Sequence, residues 1–206
     1  MNNIQTIIPV KPLRESKTRL AHLLSADERA ALMGCLLQRT LAAVRQTAVS
    51  QIIVVSGDAA VWRQAAAAGA AVLREKRPFA LNDAVTQARD LAVRQGAEAV
   101  LILPADLPLL QTADIIAMLD TAHSRPAAPF MLICGDETEQ GTNALLLSPP
   151  APFTFHFGPG SFARHLQEAR ENGRSVQVVN GRSLQFDLDT EADWIRLHNN
   201  STINHF

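Results

Sequence analysis

The sequence predicts one α/β domain, a three-layer α/β/α sandwich around a mixed, mostly parallel sheet. Two observations lead there. Short apolar runs of strand length alternate with helix-length segments from the N-terminus to about residue 125, the pattern of a parallel sheet with helices on both faces. The turns after the first and fourth runs are charged and rich in proline. In open α/β sheets the carboxyl ends of the strands are where chemistry is placed.

The elements run in order along the chain. Ile4 to Val10 is a first strand, ended by Pro9 and Pro12, since proline removes a ladder donor. Ser25-Ala-Asp-Glu28 has the spacing of a capping box and opens a long helix to about Gln46. Gln51 to Ser56 is a short buried strand, Ala59 to Ala68 a helix stopped at Gly69, and Ala70 to Arg74 a third strand. A loop containing Pro78 leads to a helix from about Asn82 to Gln95, stopped at Gly96. Glu98 to Leu103 is the fourth strand, and Thr112 caps a helix running to about His123.

Beyond residue 125 the regularity weakens. Phe130 to Cys134, Asn143 to Leu147, Ser175 to Val179 and Leu184 to Leu188 are strand-like. Phe157-Gly-Pro-Gly-Ser161 opens a helix to about Asn172, and Thr190 to His198 is a last helix. This half is expected to be an insertion or cap over the same sheet. Residues 1–198 are expected to form a single domain and 199–206 a frayed tail.

The chain has 206 residues, 47% hydrophobic and 19% charged, with a net charge of −1. That composition is globular and offers no general field for nucleic acid. Cys35 and Cys134 show no metal spacing and no bridge framework, and read as reduced thiols. No signal peptide and no membrane span of ~20 apolar residues is visible. The expectation is a cytoplasmic protein with no nucleic acid and no membrane partner.

Several motifs carry chemistry. In Val10-Lys-Pro-Leu-Arg-Glu-Ser-Lys-Thr-Arg-Leu20, Lys11, Arg14, Lys17 and Arg19 face only Glu15. A cationic loop at the end of a first strand suits polyphosphate, although it has no glycine and is neither a Walker loop nor G-x-G-x-x-G. Asp106 sits in the stiff turn between Pro104 and Pro108. Asp187 and Asp189 are two residues apart on a segment expected to be extended, and so share a face. With Asp106 they resemble oxygen ligands for a hard divalent ion, Mg2+ by preference with Mn2+ as the alternative; otherwise Asp189 caps the final helix. Gly141-Thr-Asn143 and Phe157-Gly-Pro-Gly-Ser161 can present backbone N–H groups and hydroxyls to an anion, the second at a helix N-terminus. In Phe79-Ala-Leu-Asn-Asp83, Asn82 either reads a base edge or caps its helix. Of the histidines, His22, His123, His198 and His205 are expected at the surface, while His165 falls one turn into the helix opened by Ser161. No nucleophile signature appears.

With these residues in hand, the chain resembles the 2-phospho-L-lactate guanylyltransferase family, nucleotidyltransferases with a glycosyltransferase-A-like, Rossmann-like fold. The matches are Pro9-Val-Lys-Pro-Leu13 with Ser16-Lys-Thr-Arg-Leu20, Leu81-Asn82, Leu103-Pro-Ala-Asp-Leu-Pro108, Gly141-Thr-Asn-Ala-Leu145, Phe157-Gly-Pro-Gly-Ser-Phe162 and Asp187-Leu-Asp-Thr190. The resemblance implies transfer of GMP from GTP to the phosphate of phosphoenolpyruvate, 2-phospho-L-lactate or 3-phospho-D-glycerate, with release of pyrophosphate, in coenzyme F-420 biosynthesis. It implies GTP phosphates held by Lys17 and Arg19 with Lys11 nearby, and catalytic roles for Lys17 and Asp106. Base selection falls to Ser56, Leu81 and Asn82, and acceptor binding to Thr142, Gly158, Gly160 and Ser161. Asp106, Asp187 and Asp189 are the expected metal ligands. One departure is the acidic segment Asp136-Glu-Thr-Glu-Gln140, where relatives often carry basic and glycine residues. The rivals are a sugar-phosphate, cytidylyl or molybdopterin transferase of the same fold, and a nucleotide-binding module without turnover. A homodimer is one alternative for the assembly. A strand order 3-2-1-4 is expected, which places the Lys11–Arg19 loop beside Asp106.

Overall fold

The computed structural model describes residues 3–76, 80–125 and 128–199. A seven-stranded sheet runs in the order β3-β2-β1-β4-β6-β5-β7. The strands are β1 (Ile4–Pro9), β2 (Gln51–Ser56), β3 (Ala71–Arg74), β4 (Ala99–Ile102), β5 (Phe130–Gly135), β6 (Thr142–Ser148) and β7 (Ser175–Val178). The helices are α1 (Ala26–Arg45), α2 (Ala59–Ala67), α3 (Leu81–Arg94), α4 (Thr112–His123), α5 (Ser161–Glu171), the short α6 (Arg182–Gln185) and α7 (Glu191–Asn199).

Strands β1 to β4 pair in parallel, in the expected order 3-2-1-4. The first two crossovers run outward from β1, and α1 and α2 cover one face. The third reverses direction, and α3 packs on the other face. A right-handed crossover that changes direction must change face. The reversal leaves a switch point between β1 and β4, onto whose carboxyl ends the 11–19 loop and the Asp106 turn both open. Alternation along β1 shows the two layers, with Ile4 and Ile8 in one buried cluster and Ile7 in the other.

The second half does not cap the sheet; it lengthens it. Strand β6 pairs antiparallel with β4, β5 antiparallel with β6, and β7 parallel with β5. Ser25 forms the expected capping box with Glu28. Thr112 is not a cap: it is the first residue of α4, and the Asp114 carboxylate accepts from the Gln111 N–H at 2.8 Å.

The strand expected over Leu184–Leu188 is absent. Residues 182–185 form one helical turn, and residues 186–189 join no ladder. Leu184, Phe186 and Leu188 are nevertheless all buried, so the alternation in the sequence reports a real buried face. The segment lies across the end of the sheet instead of beside a strand. There the Leu188 N–H donates to the Asp106 carbonyl at 3.1 Å. The expected tail lies outside the described residues apart from Asn199, as do His205 and Phe79.

Candidate active site

Lys17 is the centre of the site. It comes after one short 3-10 turn, Leu13–Glu15, and begins another, Thr18–Leu20, in the left-handed region at φ 55°. A lysine there costs about 1 kcal/mol or more relative to glycine, so the surroundings must hold it. Arg29 of α1 does much of this. Its guanidinium donates to the carbonyls of Ser16 at 3.2 Å and Leu24 at 2.8 Å, and it is itself buried. The Asp58 carboxylate accepts from the Leu13 N–H at 2.9 Å.

So held, the Lys17 ammonium lies 2.7 Å from Asp106 Oδ2 and 2.7 Å from Asp189 Oδ1, with its side chain only 4% exposed. Burial alone would lower its pKa, but Asp106 and Asp189 raise it above the ordinary lysine range, and it stays charged. Arg19 stands 3.5 Å from the other Asp189 oxygen and is exposed.

The carboxylates divide by environment. Burial works against ionising Asp189, but Lys17, Arg19 and Lys11 hold it below the usual carboxylate range. Asp187 is pushed up to about 6 by burial and by the charges of Asp106 and Asp189, with an Asn143 hydrogen bond and Lys17 opposing. Asp189 is not a helix cap. Thr190 takes that role, its hydroxyl accepting from the Asp193 N–H at 3.3 Å, while the Asp193 carboxylate accepts in return from the N–H groups of Asp189 and Thr190. Asn143, 6% exposed on β6, donates to the carbonyls of Leu184 and Gln185 and reaches Asp187 at 3.4 Å, which pins this segment to the sheet. Among the described residues no three acidic, histidine or cysteine groups already converge as an ion's ligand set. Between Asp106 and Asp189 the positive charge is supplied by Lys17.

A cavity of about 420 Å3 opens beside this cluster. Of the residues expected to bind nucleotide, Lys11, Lys17, Arg19, Leu81 and Asp106 line it, and so does Asp189. Ser56 and Asn82 do not. Ser56 is buried and its hydroxyl accepts from the Asp58 N–H at 3.1 Å. Asn82 neither reads a base nor caps α3. Its Oδ1 accepts from the Phe157 N–H at 2.7 Å and its Nδ2 donates to the Phe157 carbonyl at 3.1 Å, tying α3 to the loop before α5.

Thr142, Gly158, Gly160 and Ser161 lie outside the lining of that cavity. Thr142 and Ser161 meet at 3.1 Å, where α5 starts against β6, and Gly158 and Gly160 supply the positive φ values of 121° and 71° that the turn into α5 requires. His165 is fully buried behind them. Its Nε2 accepts from the His156 N–H at 2.9 Å, which places the ring proton on Nδ1, facing the Thr142 hydroxyl at 3.0 Å. His165 thus orients Thr142 and is shielded from any ligand. Burial, followed by the nearby charges of His156 and Arg164, lowers its pKa to about 3. The unfolded chain takes up this proton below about 6.5 and the folded one does not, so the contribution is complete above 6.5 and is lost as pH falls towards 3. Stability should decline by up to about 1.4 kcal/mol per pH unit from this group over that window. Denaturant unfolding at pH 7.5 and 4.5 should show a smaller drop in His165→Gln than in the wild type.

The acidic segment 136–140 is consumed by its own turn. Asp136 accepts from the N–H groups of Thr138, Gln140 and Gly141, while Glu137 makes a paired salt bridge to Arg196. Sequence reading missed Arg29, Asn143 and Asp136 as positioning residues. Only Asn143 left a local trace, a polar side chain at the start of the apolar run of β6; Arg29 sits among the charges of the first turn of α1 and Asp136 in the turn after β5.

Comparison with known proteins shows the family. The family described as guanylyl transferase CofC like matches residues 4–205. Phosphoenolpyruvate guanylyltransferase of Rubrobacter xylanophilus is 43% identical over 195 residues, covering 95% of this chain and 93% of that protein. 2-Phospho-L-lactate guanylyltransferase of Methanothermobacter thermautotrophicus is 35% identical over 198 residues, covering 95% and 85%. Among solved structures, a putative nucleotide-diphospho-sugar transferase from Desulfovibrio desulfuricans superposes with a TM-score of 0.77 at 16% identity, over 99% of this chain and 90% of that one. This last likeness concerns the fold.

Proposed function

Since the chain belongs to the CofC-like guanylyl transferase family and is a nucleotidyltransferase, we propose that it transfers GMP from GTP to the phosphate of a small phosphorylated acid. A phosphate oxygen of the acceptor attacks the α-phosphorus, the bond from that phosphorus to the bridging oxygen of the β-phosphate breaks, and pyrophosphate leaves. The attacking oxygen is already ionised, so no side-chain nucleophile or strong base is needed. What the protein must do is align two anions and offset their charge. The observation that carries this reading is Lys17, a buried ammonium lining a cavity and held by carboxylates from two distant turns. Lys17, Arg19 and Lys11 oppose the triphosphate.

Mg2+, or Mn2+ in its place, suits the carboxylate locality. Asp187 is driven towards protonation first by burial and then by its acidic neighbours, and the second influence is what one more cation would relieve. Asp106, Asp187 and Asp189 would hold the ion, which would supply charge neutralisation at the phosphates.

For the acceptor, Thr142 and Ser161 offer hydroxyls and the N-terminus of α5 offers backbone N–H groups to a phosphate or carboxylate. Phosphoenolpyruvate is the preferred candidate, and the product would enter coenzyme F-420 biosynthesis. Incubation with GTP, Mg2+ and each of the three acids in turn, with pyrophosphate release as the readout, tests this. No release with any acid would reject the transferase reading, and preference for another acid would correct the substrate. Gly141 gives a local check. A Cβ there would meet Asp136 Oδ2 at 2.8 Å, so Gly141→Ala should disturb the turn that sets Thr142. We expect the acceptor KM to rise about tenfold, the scale of one displaced hydrogen bond, with the KM for GTP little changed.

A further inference from the structure

The cavity has two chemically different ends. At one end are Lys17, Asp106 and Asp189, at the switch point between β1 and β4. At the other is Glu75, the residue after β3, whose N–H donates to the Ser56 carbonyl at 3.1 Å and so keeps the turn alongside β2. From β4 to β3 the sheet steps through three strand spacings, roughly 14 Å. An extended nucleotide with its phosphates at Lys17 therefore carries its base towards β3. Val55 and Leu81 line the space between, apolar walls suited to the flat faces of a base.

Glu75 is half-buried. Burial raises its pKa, opposed among the described residues by a hydrogen bond from the Ala80 backbone. No cation among the described residues pairs with it. Gly57 faces it so closely that a Cβ would stand 3.3 Å from Oε2. The other glutamate lining the cavity, Glu15, is exposed and belongs to the Lys17 loop, at the phosphate end.

We propose that the Glu75 carboxylate selects the base, accepting hydrogen bonds from N1–H and the 2-amino group of guanine. An ionised carboxylate is acceptor-only. Guanine alone among the common bases presents two adjacent donors on its pairing edge. Adenine and cytosine present a ring acceptor there, and uracil's single N–H is flanked by carbonyl oxygens that a carboxylate repels. Glu75 is thus a specificity-determining residue. The inference rests on the proposed use of GTP and goes beyond it in naming what distinguishes GTP from other nucleotides.

Binding of GTP, ATP, CTP, UTP, inosine triphosphate and N1-methyl-GTP should be measured by calorimetry with Mg2+ and no acceptor, for the wild type and for Glu75→Gln. The wild type should favour GTP over inosine triphosphate, which lacks the 2-amino group, and over N1-methyl-GTP, each by about 10- to 100-fold, the scale of a hydrogen bond to a charged group. Glu75→Gln should lose a similar factor for GTP, bind inosine triphosphate almost as before, and so erase most of the preference. If the wild type favours a different common base, the GTP reading fails and the assignment falls with it. If the wild type favours GTP but Glu75→Gln keeps the ratio of GTP to inosine triphosphate, GTP stands and Glu75 is not the reader. Should Glu75→Gln fail to fold, Glu75→Ala takes its place, and equal binding of GTP and N1-methyl-GTP by the wild type overturns the assignment without any variant.

Discussion

Lys17→Met should lower turnover with GTP about 10²- to 10³-fold, the usual loss on removing one preorganised electrostatic donor. The same change leaves Asp106 and Asp189 facing each other without their shared ammonium. Because Asp189 is 45% exposed, solvent screens much of that repulsion, and the stability loss should be about 1–2 kcal/mol, below that of a fully buried pair. Lys17→Gly separates the two roles of this residue. Glycine accepts the φ of 55° without strain, so Lys17→Gly should unfold at higher denaturant than Lys17→Met while remaining equally inactive. Turnover should be measured at a temperature where circular dichroism shows each variant folded. Near-normal turnover in either would mean that the loop is only a solvated surface feature.

Asp187→Asn should uncouple stability from activity. In chelator at pH 7.5 the wild-type carboxylate is ionised against the opposition of burial, Asp106 and Asp189. Removing its charge should stabilise the protein by on the order of 1 kcal/mol, after discounting for the exposed part of the side chain. In the wild type Mg2+ should raise the melting temperature and chelator should abolish transfer. In Asp187→Asn the Mg2+ effect on melting should largely vanish and turnover should fall at least about 10²-fold. If the variant instead melts lower than the wild type in chelator, Asp187 is a structural acceptor for Asn143 and the metal reading is wrong.

Much of the fold was legible because its signals are local. The strands ending at Pro9, Ser56, Arg74 and Ile102, the glycine stops and the Ser25 box all declare themselves within a few residues. The meeting of Lys17 with Asp106 was legible too, since strand order follows from crossover handedness and both residues lie just past a strand's carboxyl end. The failures over residues 184–188 and at Asn82 share one cause, a partner far away in the chain. Leu184, Phe186 and Leu188 alternate as a strand would, but Asn143 takes the carbonyls at 184 and 185 and the backbone of Asp106 takes the N–H at 188, so no ladder forms. Asn82 has the chemistry to read a base or cap a helix, and a loop 75 residues away claims both ends of its amide. Glu75 drew no notice because nothing beside it in sequence shows that it faces a cavity.

The salt bridges of Lys17 span 89 and 172 residues of chain. Synthesis runs from the N-terminus at roughly 5–20 residues per second, so the amine emerges first and its second carboxylate 172 residues later. Until residue 189 is made, Lys17 lacks one of its two carboxylates. A nascent chain stalled on the ribosome, or one cut short before residue 189, should therefore leave the nucleotide pool untouched. Catalytic competence arrives only once residue 189 is in place.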